Sequence, residues 1–146
     1  MKKLLCVVAC LFAFASIATA QTRLELRLAE TEPGVGLTEA TVAGSGRTIY
    51  LHESSVITNA DVIEAHVVPP NEMNDHPSVA IHLAPDGAAR LEAATRGHIG
   101  KPVAVVVNGT VVSAPILSGV LREDAAIFGA FTQTEVETIA AGLIGR

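Results

Sequence analysis

The sequence predicts an α+β fold: a mainly antiparallel sheet with a central β-hairpin and two amphipathic helices packed on one face. Three observations lead there. Residues 101–115 hold two valine-rich runs on either side of Asn108-Gly109. That dipeptide readily takes the two positive-φ positions of a type I′ turn, whose twist suits antiparallel strands. Residues 85–98 and 132–144 carry apolar residues at helical spacing behind N-terminal start signals. The other apolar segments are short, alternating or β-branched and lie between turn residues, so strands interleave with the helices in a two-layer arrangement.

In chain order, Arg23-Leu24-Glu25-Leu26-Arg27-Leu28 alternates strictly and sets three leucines on one face of a half-buried strand. Residues 29–46 are rich in Gly, Thr and Glu, with Pro33-Gly34 as a turn signal. They read as a loop with a short strand near 41–43. Gly44-Ser45-Gly46 precedes a strand rather than a helix, so it is a turn and not a phosphate cradle. Residues 47–52 read as a strand. Thr58-Asn59-Ala60-Asp61 has a capping residue with an acid three positions on, which starts a helical turn through Ile63. Residues 65–68 extend until Pro69-Pro70 stops them, 71–77 make a surface connection, and 78–83 form a strand with Val79, Ile81 and Leu83 on one side.

Pro85 suits a first helical turn, Asp86 suits the positive end of the helix dipole, and Ala88, Leu91 and Ala94 or Thr95 form the apolar stripe before Gly100. Pro102 and Pro115 bracket the hairpin because neither can donate to a ladder in mid-strand. Residues 116–124 are an irregular connection and 125–128 a last strand. Thr132-Gln133-Thr134-Glu135 is a capping box, followed by Val136, Ile139, Ala140, Leu143 and Ile144 on one helical face.

Lys2 and Lys3 precede an apolar run over 4–18 that is short for a bilayer span and ends in Ala18-Thr19-Ala20. This layout predicts a signal peptide over 1–20, cleavage after Ala20, and a periplasmic or secreted product with no stable membrane insertion. An uncleaved anchor and lipidation at Cys10 are the alternatives. Cleavage would remove both cysteines, Cys6 and Cys10, and move the formal charge from −5 to −7 as the two lysines go. Disulfides and thiol chemistry are then excluded. A single remaining lysine, Lys101, and the scarcity of aromatic residues argue against nucleic acid. Residues 21–57 and 58–146 form parts of one domain, at a length that supports one core.

From Thr58 onward the chain resembles the periplasmic head of the SecD and SecDF protein-export subunits. The resemblance runs through Asn59-Ala60-Asp61-Val62, Val79, Ile81, Gly87 and Thr95. It is densest in Gly100-Lys101-Pro102-Val103-Ala104-Val105 and Asn108-Gly109-Thr110-Val111-Val112-Ser113-Ala114-Pro115, and ends in Ile127-Phe128-Gly129-Ala130-Phe131-Thr132. Asn108 departs from the Asp usual in that family, and Arg122-Glu123 stands where glycines are common. No run is available for the membrane helices that carry the family's proton-coupled work. The resemblance therefore implies a shared fold and a shared peptide-handling surface, not an export motor.

His52, His66, His76, His82 and His98 lack a two-histidine helical spacing, although His66 and His82 fall on neighbouring strands with Asp75 and His76 in the connection between them. A hydrolase would use Ser113 with a histidine and Asp86 or Asp124, but Ser113 lacks a strand-turn-helix Gly-x-Ser-x-Gly setting. Glu135 and Glu137 are two apart on a helix and do not face each other. The sequence thus points to a non-enzymatic module without cofactor or metal that binds polypeptide or an envelope partner. It would do so by strand addition or in an apolar groove. Candidate contacts are Val111, Val112, Ser113, Ala114, Ile116 and Leu117, whose competing role is core packing. A structural accessory of an envelope complex is the alternative function.

Overall fold

The computed structural model describes residues 22–144. The predicted signal peptide, its cleavage point and Cys10 lie outside them. The elements are β1 (Leu24–Glu30), β2 (Thr38–Thr41), β3 (Thr48–Leu51), β4 (Ile57–Thr58), a 3-10 turn (Asn59–Asp61), β5 (Val62–Val68), β6 (Ser78–Leu83), α1 (Pro85–Arg96), β7 (Val103–Val107), β8 (Thr110–Ser113), β9 (Asp124–Ile127) and α2 (Gln133–Ile144). The strands form two antiparallel ladders, β2-β3-β1-β7-β8 with β4 also on β1, and β5-β6-β9.

The predicted hairpin forms the β7–β8 end of the first ladder, with β1 rather than the hairpin in the middle. Asn108 and Gly109 both have positive φ, 50° and 82°, as a type I′ turn requires. The Asn108 carboxamide oxygen accepts the Arg23 N–H at 2.9 Å, while the Asn108 N–H donates to the Arg23 carbonyl at 2.8 Å. The turn is thereby tied to the start of β1, which runs antiparallel to β7 from Leu24↔Val107 to Leu28↔Val103. Val105 pairs with Ser113 and Val106 with Val111. Val112 is therefore the extra residue of a bulge that bends β8.

Every residue of β7 is buried, and the curl of the ladder explains why. Val103, Val105 and Val107 enter the larger core with Leu24, Leu26 and the apolar faces of β6, α1 and α2. Each such side chain contributes about 1.5–3 kcal/mol of burial. Ala104 and Val106 enter a second, smaller core with Ala29, Val42, Ile49 and Leu51. Both helices serve the larger core only. The opposite face of β7 is covered because the β2–β3 hairpin swings round to β8: the Ala43 N–H donates to the Val111 carbonyl at 2.8 Å and the Arg47 guanidinium to the Ala114 carbonyl.

Polar clips hold the helices. Thr132 and Glu135 cap α2 reciprocally, with Glu135 N–H to Thr132 Oγ1 at 3.2 Å and Thr132 N–H to Glu135 Oε2 at 2.7 Å. Beyond α1, the buried His98 places Nε2 at 2.9 Å from the Ala29 carbonyl and 3.1 Å from the Pro102 carbonyl. Two carbonyl partners fix that nitrogen as the donor. The absence of a side chain at Gly87 lets α1 approach Asp61, which pairs with Arg90.

Several boundaries differ from the sequence reading. The expected loop over 29–46 contains the end of β1 and all of β2. β2 is mostly exposed and shows no buried alternation, because its stability comes from pairing Thr38↔Leu51 to Thr41↔Thr48 with β3. The helical turn ends at Asp61 rather than Ile63, since Val62 already pairs with Leu83.

Candidate functional site

The segment between β8 and β9 has no regular structure, yet it is pinned at both ends. At the first end Val103 N–H donates to the Pro115 carbonyl at 3.0 Å, and Leu117 N–H to the Lys101 carbonyl at 2.9 Å. At the second, Leu121 N–H donates to Thr95 Oγ1 at 3.0 Å and Leu83 N–H to the Glu123 carbonyl at 2.8 Å. Between the pins, residues 118–120 stand exposed. Together with Leu26, Val103 and Val105 behind and β9 opposite, the segment walls an apolar groove of about 340 Å³.

β9 offers its backbone to this groove. The Leu83-to-Glu123 bond and the register Ile81↔Ala125, Val79↔Ile127 make these the pairs that exchange bonds with β6, because bonded and non-bonded pairs alternate. The N–H and C=O of Ala126 therefore point away from β6. No strand among the described residues pairs on that side. Ile116 (49 % exposed), Val120 (38 %) and Phe128 (49 %) are large apolar side chains left open around the groove. An unpaired strand edge beside an open apolar surface is suited to an added strand.

The six candidate residues separate by burial. Val111, Ala114 and Leu117 are buried, Val112 and Ser113 half-buried, and Ile116 exposed. Ile116 and Leu117 line the groove. Val112, Ser113 and Ala114 line a shallower depression of about 460 Å³ with Val42 and Arg47. Pro115 and Phe128 belong to both recesses. Sequence reasoning missed Val120, Ala126 and Phe128. Phe128 was detectable in one respect: with Ile127 directed inward, strand alternation turns its neighbour outward.

Ser113 Oγ is buried without a hydrogen-bond partner among the described residues. No histidine reaches it. Asp124 is held instead by His82, Nδ1 to Oδ1 at 2.7 Å, and this hydrogen bond raises the His82 pKa despite the opposing effect of desolvation. His52 meets Glu30 at 3.1 Å. The His52 contact, against a smaller effect of burial, and then Lys101 draw the Glu30 carboxyl below its ordinary range. The Ser113 set with Asp86 or Asp124 is not brought together. His66 and His82 do lie on paired strands, with His66 opposite Ala80 and His82 opposite Glu64. Among the described residues no three His, Cys, Asp or Glu side chains converge as metal ligands would.

Comparison with known proteins gives one family. The SecDF P1 head subdomain matches residues 36–145. The protein translocase subunit SecD of Elusimicrobium minutum is 32 % identical over 96 residues, covering 64 % of this chain and 20 % of that protein. SecD of Rhodobacter capsulatus is 33 % identical over 91 residues, covering 62 % of this chain and 16 % of that protein. The chain thus spans a fifth or less of the curated relatives it matches. A solved structure of SecDF, described as a membrane component that enhances protein export, superposes with a TM-score of 0.64 at 22 % identity. That superposition covers 85 % of this chain and 62 % of the other. At that identity it bears on the fold alone.

Proposed function

The chain belongs to the SecDF P1 head subdomain family, and from that premise we propose that it is a non-enzymatic, exported polypeptide-binding module serving protein export or envelope assembly. The observation that carries this reading is the groove between residues 115–121 and β9, where the outward backbone of Ala126 adjoins exposed Ile116, Val120 and Phe128. An extended segment would pair with β9 while its alternate side chains enter the groove. Val112, Ser113, Ile116 and Leu117 would meet the chain, with Val111 and Ala114 supporting them from beneath.

The family's head domains are periplasmic, and among the described residues no helix is long and apolar enough to cross a membrane. In this reading residues 1–20 are the export signal, and the partner is an unfolded chain or an envelope protein met outside the cytoplasm. The named relatives are translocase subunits, which supports a role connected with export.

The test is calorimetric titration of the purified protein with unfolded periplasmic polypeptides, accompanied by photo-cross-linking from positions 116 and 128. Saturable binding at about tens of micromolar or tighter is expected, corresponding to roughly −6 kcal/mol or better. Ala126→Pro should abolish it without unfolding the protein, because the lost N–H points away from β6 and proline is tolerated on such an edge. Absence of saturable binding would overturn the proposal. Binding undiminished by Ala126→Pro would refute strand addition.

A further inference from the structure

We propose that the depression adjoining the groove is a carboxylate subsite, in which Arg47 recognises an acidic side chain carried beside an apolar residue of the bound polypeptide. This rests on the polypeptide-binding reading and adds a sequence preference to it. The charge pattern of the surface is the first ground. The chain has fifteen acids against ten Lys and Arg, and most described cations are neutralised locally. Arg27 pairs with Glu25, Arg90 with Asp61, Arg96 and Arg122 with Glu92, and Lys101 with Glu30. Arg23 has no ion pair among the described residues but lies within the field of Glu25. Arg47 has no carboxylate partner among the described residues.

Its position is the second ground. The Arg47 backbone is fixed on both sides, since its N–H donates to Ser45 Oγ at 3.3 Å and its carbonyl accepts the Val42 N–H at 2.8 Å. One guanidinium nitrogen donates to the Ala114 carbonyl. Guanidinium has five N–H donors in a planar fork, so this bond orients the group and leaves donors for a second acceptor. The depression is about 460 Å³, no acid lines it, and its walls are largely apolar, with Val42, Val112, Pro115 and Phe128 among them. Arg47 is exposed at this margin, so its attraction for an anion is salt-sensitive, and its planar fork favours a bidentate carboxylate.

Continuity with the groove is the third. Pro115 and Phe128 line both recesses. A polypeptide seated against β9 with an apolar residue in the groove can therefore reach Arg47 with a neighbouring side chain. The ligand class is an extended apolar segment flanked by Asp or Glu.

Three synthetic peptides of one apolar sequence, differing only in Glu, Gln or Lys at the flanking position, test this by fluorescence anisotropy. All have amidated ends, so that a side-chain carboxylate is the only one offered. The Glu peptide should bind about threefold to tenfold tighter than the Gln peptide at low ionic strength, and the advantage should fade in high salt. Arg47→Glu should reverse the order in favour of Lys. Arg47→Gln, whose shorter side chain gives up the Ala114 bond, should erase the discrimination while the protein keeps a cooperative unfolding transition, and Arg47→Lys, which can still reach Ala114, should retain a reduced preference for the Glu peptide, separating recognition from folding. Equal binding of the three peptides overturns the subsite while leaving the polypeptide-binding reading intact. Failure of all three to bind removes both.

Discussion

Substituting Gly142 by alanine sets two opposed effects against each other. Gly142 lies in the last turn of α2, where alanine is the better helix former by up to about 1 kcal/mol. A Cβ placed there would stand 2.0 Å from Thr22 Oγ1, 2.6 Å from Thr22 Cβ and 3.0 Å from the Thr22 backbone nitrogen. Thr22 is only 4 % exposed, and a backbone atom is among those crowded, so a new rotamer does not clear the contact. Overpacking of this kind costs about 1–3 kcal/mol, which leaves an expected net loss of about 1–2 kcal/mol and a fall in Tm of about 4–8 °C. Urea unfolding followed by circular dichroism reads this as a lower midpoint at unchanged slope. In a Thr22→Gly background the two closest contacts vanish and only the 3.0 Å approach to the backbone nitrogen remains, so Gly142→Ala should cost much less than in the wild type. The cycle should thus show coupling of about 1 kcal/mol or more. If Gly142→Ala stabilises the protein equally in both backgrounds, Thr22 is not seated on α2, and the docking of the segment before β1 is wrong.

Other consequences follow at three further places. Asn108→Ala removes both a residue tolerant of positive φ and the acceptor for Arg23 N–H, and should cost about 1–2 kcal/mol in urea unfolding, whereas Asn108→Asp should stay within about 0.5 kcal/mol. Burial pushes the Asp61 carboxyl up, but the Thr58 N–H at 3.0 Å and Arg90 outweigh it, so its pKa lies below the ordinary value. Its contribution to stability is accordingly complete above the unfolded-state pKa and is lost as pH falls through the folded one. The urea midpoint should therefore drop less steeply in Asp61→Asn than in the wild type between pH 5 and about 2; identical slopes would count against the pairing. His82 has the opposite sign. Its raised pKa gives stability that is present below the unfolded value and disappears as pH rises through the folded one. Imidazole NMR titration should place His82 above the ordinary histidine value of 6.5 and return it toward that value in Asp124→Asn.

The groove was only partly legible in the sequence. Ile116 and Leu117 were identified because they follow a hairpin ended by Pro115, and they do line it. Ala126 could not be, because an alanine in a short strand gives no signal. Its importance comes from lying in the outward register of a strand with one neighbour. Arg47 was equally silent. Its sequence neighbours mark a turn, and its lack of an acid partner is a property of the surface assembled around it. The reverse holds for Ser113, where a residue type suggestive of chemistry is placed without a base.

Local rules were sufficient for the hairpin at Asn108-Gly109, the capping box at Thr132 and Glu135, the leucine alternation of β1 and the helix beginning at Pro85. In each case the forces act within a few residues: backbone sterics, unsatisfied helix N–H groups and the periodicity of side chains. They also fixed the α+β class, since strands and amphipathic helices of these lengths must cover one another. The curl of the first ladder, the second core it encloses, the open edge of β9 and the isolation of Arg47 were decided by tertiary structure alone. These depend on contacts between residues far apart in the chain, such as Ala43 with Val111 and Thr95 with Leu121. Such contacts form only when burial of the whole core repays the entropy of closing the loops between them, and a local sequence pattern carries no trace of that balance.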